Sequence, residues 1–236
     1  ELAGGELLAL MSDSERRTFM SMAVFVDFGA IDPAWIKESF DMYCVPTEHD
    51  ARLARHMGIE DRRIAVTGIP VGRRFRKTRP LADPARLDLP SGKPVVLFMA
   101  GGMTGRLIKN ALLRSLEGVD ATHVALAGAN RRDATELRKI RHDNLRVLDW
   151  TDNVVDWMSV ASALVSKPGG MTLAEAFAMQ TPLVLFGPIG WWERANMRFA
   201  VEHGAALAAD SVDELPDLIN LVLNNPERSL ELTQMG

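Results

Sequence analysis

The sequence predicts an α/β protein built on doubly wound parallel sheet. Three observations carry this. After Pro94, short apolar runs alternate with helix-patterned ones. Strands are expected at Val95–Met99, His123–Ala127, Leu145–Leu148, Ala163–Val165, Leu183–Phe186 and Ala205–Leu207. Helices are expected near Gly105–Leu116, Asp133–Arg141, Val154–Val160, Thr172–Met179, Trp192–His203 and Val212–Leu223. Alternation at this spacing makes parallel βαβ units. A shorter stretch before it has the same rhythm, and glycine-bearing turns recur at the strand ends, where such sheets bind ligands.

In chain order, Glu1–Met20 holds one or two helical turns around Leu2, Leu7, Leu8, Leu10 and Met11. Strands follow at Met22–Val26, Met42–Val45 and Ile64–Thr67. Pro33–Phe40 is a short helix with Pro33 in its first turn. Thr47 caps a second that runs to Met57 and stops at Gly58. The stretch Arg73, Arg74, Arg76, Lys77, Arg79, Pro80, Pro84 and Pro90 has no period and is expected to be a linker. Its cations form either a solvated face or a contact with an anionic membrane surface. The division is therefore 1–72, a linker over 73–92, and 93–236. Asn225-Pro226 breaks the last long helix and another begins at Glu227.

Composition narrows the function. Of 236 residues, 47% are hydrophobic and 25% charged, enough for a sizeable core. A net charge of -4 argues against a nucleic-acid binder. The one cysteine, Cys44, excludes an internal disulfide, fits a reducing compartment and sits in an apolar run as a core residue. No run approaches the ~18 apolar residues of a membrane span, which leaves a peripheral place at a membrane open. There is no G-x-S-x-G, H-E-x-x-H or C-x-x-C. The five histidines are scattered, and Asp149 and Asp152 do not form a D-x-D pair, so no bound metal is expected.

Four strand ends are candidate sites. The central one is Ser166-Lys167-Pro168-Gly169-Gly170-Met171-Thr172-Leu173-Ala174-Glu175-Ala176. A strand that ends in glycines and opens a helix presents free N–H groups and the positive end of a dipole to an anion. Glu175, one turn in, can reach past a phosphate to paired ribose hydroxyls. Equally, the glycines serve packing and Glu175 is a first-turn charge. Ala100-Gly101-Gly102-Met103-Thr104-Gly105 resembles a phosphate turn but matches neither the dinucleotide fingerprint nor a P-loop. Gly128-Ala129-Asn130 follows the next strand. Gly187-Pro188-Ile189-Gly190 feeds a helix on which Glu193 and Asn196 share a face. Trp191 and Trp192 either pack under that loop or wall a sugar.

In combination these residues resemble the lipid glycosyltransferases of glycosyltransferase family 28. These are the monogalactosyldiacylglycerol synthases and processive diacylglycerol glucosyltransferases, with MurG-type enzymes more distant. The Lys167–Ala176 run is similar to their donor loop. Val26-Asp27-Phe28 with Pro33-Ala34-Trp35, Tyr43–Thr47, Gly58-Ile59, Val66–Val71, Gly128 with Asn130, and Glu193 with Asn196 follow in the family's order. The likeness runs from Ala23 onward and implies a GT-B fold of two Rossmann-like domains. Ala23–Pro70 would be part of the acceptor domain, and Lys93 onward the UDP-sugar domain. The family's glycine-rich first loop with its histidine, and its closing helix, have no match here.

By resemblance, Gly169, Gly170, Met171 and Thr172 hold the diphosphate and Glu175 the ribose. Glu193 and Asn196 hold sugar hydroxyls, while Gly101, Gly102, Gly105 and Asn130 also face the nucleotide. Trp192 stands where the family has Gln, Gly190-Trp191 where it has Pro-Gly, and Val26 where it has Thr. Thr104 and Arg106 depart from its first loop. The sugar is therefore left open.

The implied reaction moves a hexose, with inversion, from a UDP-sugar to a lipid such as diacylglycerol, at the inner face of the membrane and without a cofactor. Asp27 is the candidate base. Two other readings stand beside it: a donor-binding module that needs a partner subunit, and a nucleotide-sugar epimerase of the same fold.

Overall fold

The computed structural model describes residues 19–36, 40–75, 82–99, 105–129 and 131–234. The chain divides into two compact units, Glu1–Pro70 and Val71–Gly236.

The first unit holds a parallel sheet in the order β1 (Met22–Val24), β2 (Met42–Val45), β3 (Ile64–Val66). Helix α1 (Glu48–His56) follows β2 and begins where expected. Thr47 Oγ1 accepts from Asp50 N at 3.2 Å, and Thr47 donates back to Asp50 Oδ2 at 2.6 Å. Asp50 is fully buried because its other oxygen accepts from Gly29 N at 2.7 Å, which ties the β1 exit loop to the helix. Gly29 has φ +65° and Gly58, which stops α1, has φ +95°; both conformations favour glycine. Tyr43, Val45, Phe25, Phe40, Ala51 and Ala54 form the core of this unit, and Cys44 is a buried core thiol. β1 is shorter than its apolar run predicts, and the expected helix at Pro33 is one 3-10 turn, Pro33–Trp35, capped by Asp32. Residues 37–39 of that prediction lie outside the described set.

The second unit holds a six-stranded sheet. Its strands are β4 (Val95–Met99), β5 (Thr122–Leu126), β6 (Leu145–Leu148), β7 (Ala163–Ser166), β8 (Leu183–Leu185) and β9 (Leu207–Ala208). All described pairings are parallel and the order is β6-β5-β4-β7-β8-β9. The helices are α2 (Gly105–Gly118), α3 (Arg131–Leu137), α4 (Val154–Val160), α5 (Gly170–Met179), α6 (Trp191–Glu202), α7 (Leu215–Asn224) and α8 (Pro226–Gln234). Val96, Leu97, Phe98, Leu164, Val165, Val184 and Leu185 are fully buried, as a sheet covered on both faces requires. One layer of the core joins these strands to Ile108, Leu112, Leu215, Ile219 and Val222.

The direction of winding reverses between β4 and β7, whose ends pair as Met99 with Ser166. In sheets of this order the reversal point opens a crevice beyond the carboxyl ends of its two strands.

The described residues of the stretch expected to be a linker, 73–75 and 82–92, make contacts within the second unit. Pro84–Leu87 is a 3-10 turn capped by Asp83. Arg146 donates to Leu87 O and to Asp88 O at 2.9 Å, Ala82 N to Ser159 Oγ at 3.1 Å, and Arg74 to Asp152 O at 2.6 Å. Short irregular segments carry little period, so sequence pattern cannot show what side chains elsewhere hold them in place.

His123, on β5, is fully buried. Its Nε2 faces Ser115 Oγ at 2.8 Å and its Nδ1 faces Ala121 O at 3.1 Å. Burial pushes its pKa from 6.5 down to about 4. A depressed folded pKa means that stability present above the unfolded value is lost as pH falls through the folded one. Urea titrations from pH 6.5 towards pH 4 are expected to show a loss on the order of 3 kcal/mol from this group. His123→Gln is expected to flatten that slope. A slope unchanged in the variant contradicts the assignment.

Candidate functional site

The site forms where β7 runs into α5 at the reversal point. Gly169 is the N-cap of α5 in extended conformation (φ -75°, ψ 132°), and no side chain caps the helix. The first carbonyl to be used is that of Gly169, which accepts from Leu173 N at 3.0 Å. In an α-helix the N–H groups ahead of that point, here those of Gly170, Met171 and Thr172, have no intrahelical acceptor. They point out of the helix mouth together with the positive end of its dipole. Gly170 is buried and Met171 exposed. A Cβ built on Gly169 would lie 3.9 Å from Lys167 Nζ and 4.0 Å from Thr172 Oγ1, so an ammonium and a hydroxyl flank the same mouth. Gln180 ends the helix in a left-handed conformation, φ 54°.

Glu175 lies half-buried one turn inside. Burial raises its carboxyl pKa, and the Arg74 charge offsets part of this. Ser166, at the end of β7, is buried and donates to Met99 O at 3.4 Å, which joins the two strand ends that frame the crevice.

Helix α6 supplies the adjoining wall. Glu193 is 2% exposed and Asn196 fully buried. The Glu193 carboxylate pairs with Lys167 Nζ through Oε1 and accepts from Ile189 N through Oε2 at 2.7 Å. Trp191 and Trp192 meet edge to face at 6.2 Å and keep 49% and 43% of their surface exposed. The Trp192 indole lies on Gly190, with ring atoms 2.6 Å from where a Cβ would sit. The tryptophans therefore use the loop as a floor while staying open to solvent.

A cleft of about 380 Å³ lies beyond β5 and β6, lined by Gly128, Ala129, Arg131, Thr135, Arg138, Asp149 and Trp150. Arg138 pairs with Asp149 at 2.6 Å, and Trp150, 67% exposed, donates to Asp152 Oδ1 at 3.3 Å. Gly128 has φ +73°.

The structure thus brings Gly169, Gly170, Met171, Thr172 and Glu175 together at one helix mouth, with Glu193 joined to them through Lys167. Gly105 opens α2 beyond β4, the other strand of the crevice. Gly101, Gly102 and Asn130 lie outside the described residues. Asp27 sits in the bend after β1 in the first unit, partly exposed. Reading the sequence alone gave Lys167 and Trp150 no role. The signal for Lys167 was a cation that opens a Pro-Gly-Gly turn, and for Trp150 an aromatic at a strand's carboxyl end. Among the described residues no three potential metal ligands converge, and no helix is long and apolar enough to cross a membrane.

Comparisons with known proteins follow the same lines. By fold, the second unit and the chain as a whole are similar to solved glycosyltransferases. These include Acinetobacter baumannii MurG (TM-score 0.60, 14% identity, 94% of this chain and 64% of that one) and Arabidopsis thaliana UGT89C1 complexed with UDP (TM-score 0.67, 12%, 98% and 69%). A third is Anabaena Alr3699/HepE with UDP and glucose (TM-score 0.62, 13%, 93% and 66%). The fold is therefore that of the GT-B glycosyltransferases. Residues 6–71 match the family model of monogalactosyldiacylglycerol (MGDG) synthase. The chain is 28% identical over 229 residues to the processive diacylglycerol beta-glucosyltransferase of Bacillus cereus strain B4264, covering 93% of this chain and 58% of that protein. The Bacillus pumilus enzyme of that name is 26% identical over 216 residues, with 89% and 56% covered. The chain is similar to these diacylglycerol glucosyltransferases and spans somewhat over half of their length.

A raised folded pKa at Glu175 means that its ionised form is penalised in the fold as pH rises past the ordinary value of 4.5. Glu175→Gln is expected to raise the melting temperature near neutral pH and to lose that advantage below the ordinary value. Thermal melts across that range check it, and an advantage independent of pH contradicts the cause given.

Proposed function

We propose that the protein is a UDP-sugar-dependent hexosyltransferase that glycosylates a lipid acceptor such as diacylglycerol at a membrane surface, with inversion at the anomeric carbon. One observation carries this reading: the uncapped mouth of α5 at the reversal point, with Glu175 a turn inside. Diphosphate oxygens fit the N–H groups there, and a carboxylate at that depth can accept from both ribose hydroxyls. The exposed face of Trp150, beyond β6 at the edge of the same sheet, is suited to stacking a base.

In the reaction the acceptor hydroxyl oxygen bonds to the anomeric carbon as the bond to the UDP oxygen breaks. Negative charge grows on the leaving diphosphate, where the helix mouth already aims donors, so stabilisation increases along the reaction path. The hydroxyl proton passes to a base; Asp27 is the candidate from the first unit. UDP-sugar is substrate and no cofactor is required. The relatives are named as transferases, which favours this reading over an epimerase or a module dependent on a partner. Attachment to the membrane is peripheral in this reading.

Glu175→Ala is expected to weaken UDP binding about tenfold, the size of one charge-assisted hydrogen bond. A melting-shift screen with UDP, UDP-glucose, UDP-galactose and UDP-GlcNAc tests the donor class first. If none of the four shifts the transition, the reading fails. With a donor in hand, transfer to diacylglycerol vesicles tests the acceptor, and hydrolysis or epimerisation without lipid argues against it.

A further inference from the structure

Glu193 was expected to meet sugar hydroxyls, yet its carboxylate is already engaged. It is 2% exposed, accepts from Ile189 N at 2.7 Å, and pairs with Lys167. Lys167 keeps about a fifth of its side chain exposed. Its Nζ lies 3.9 Å from the Cβ position of Gly169, the residue that caps the helix mouth. One cation thus stands between two anionic partners, a protein carboxylate and the place where a diphosphate would sit. A buried carboxylate left without a partner is costly, so the pair is a stable resting arrangement, and Lys167 can leave it only for a comparable charge. A diphosphate is such a charge.

Resting on the reading of the α5 mouth as a diphosphate site, we propose that Lys167 is a donor-exchanged cation. Without nucleotide it neutralises Glu193. When the diphosphate arrives it turns to the phosphate oxygens, and Glu193, freed on one oxygen, accepts from a hydroxyl of the attached sugar. Diphosphate and sugar recognition are then coupled through one side chain. UDP alone vacates the carboxylate and leaves it unpaired, whereas UDP-sugar fills it, so an intact donor gains over UDP more than its extra contacts would supply. The exchange moves no bond and no proton.

Calorimetry on the full chain with uridine, UDP and UDP-glucose tests it. Lys167→Met is expected to weaken UDP about tenfold or more, as loss of one charge-assisted contact does, and to leave uridine unchanged. Glu193→Gln removes the competing charge and is expected to tighten UDP while erasing the advantage of UDP-glucose over UDP. The double variant K167M/E193Q leaves no buried charge unpaired and guards against misfolding in K167M. It is expected to fold, bind uridine normally and bind UDP as weakly as K167M.

Equal loss of uridine and UDP in K167M and in the double variant makes Lys167 structural and overturns the proposal. So does unchanged UDP binding in both, or weaker UDP binding in E193Q. If the wild-type chain binds uridine but not UDP, the diphosphate reading of the helix mouth fails and takes the exchange with it.

Discussion

Parallel pairing of β4 with β7, across 67 residues of chain, is the constraint on which the second unit depends. Once these strands are neighbours, each successive βα unit must extend outwards on its own side. The pairing is held by side chains with no access to water. Val96, Leu97, Phe98, Leu164 and Val165 are all fully buried, each contributing roughly 1.5–3 kcal/mol of apolar burial. The crevice is therefore a by-product of sheet order, placed by fully buried strands.

A second consequence is the economy of charge at the site. The mouth of α5 carries positive potential without any ionised group. The first ionised groups around it are set against one another: Lys167 with Glu193, and Arg74 within reach of Glu175. Glu175 bears a cost for being half-buried and ionised. Glu193 avoids that cost by pairing. The two carboxylates thus differ in partners: Glu193 meets a cation directly, and Glu175 feels one only at a distance.

In the second unit, strands β4 and β6 and helix α4 fall where the sequence places them, at Val95–Met99, Leu145–Leu148 and Val154–Val160, because apolar strands and short amphipathic helices declare themselves by period. The turn from β7 into α5 was also visible, since strand end, glycines, helix and acid lie within eleven consecutive residues. Errors gathered where period is weak. β1 ends two residues early, the last strand is shifted to Leu207–Ala208, and the described residues of the basic stretch, 73–75 and 82–92, make contacts within the second unit. There Arg146, Ser159 and the Asp152 carbonyl, all far along the chain, decide the conformation.

What the sequence determined by itself is therefore local: where strands and helices fall, and which turn presents bare N–H groups, since these follow from side-chain period and from glycine's freedom of backbone. What only the tertiary structure decided is the state of the polar groups. Lys167 and Glu193 stand 26 residues apart, and nothing in their spacing says that they meet. They do because β7 and β8 are neighbours, which brings the loop before α5 against the first turn of α6. Whether a carboxylate waits for a ligand or is already satisfied depends on such long-range contacts, through burial and Coulomb attraction, and no reading of local pattern contains them.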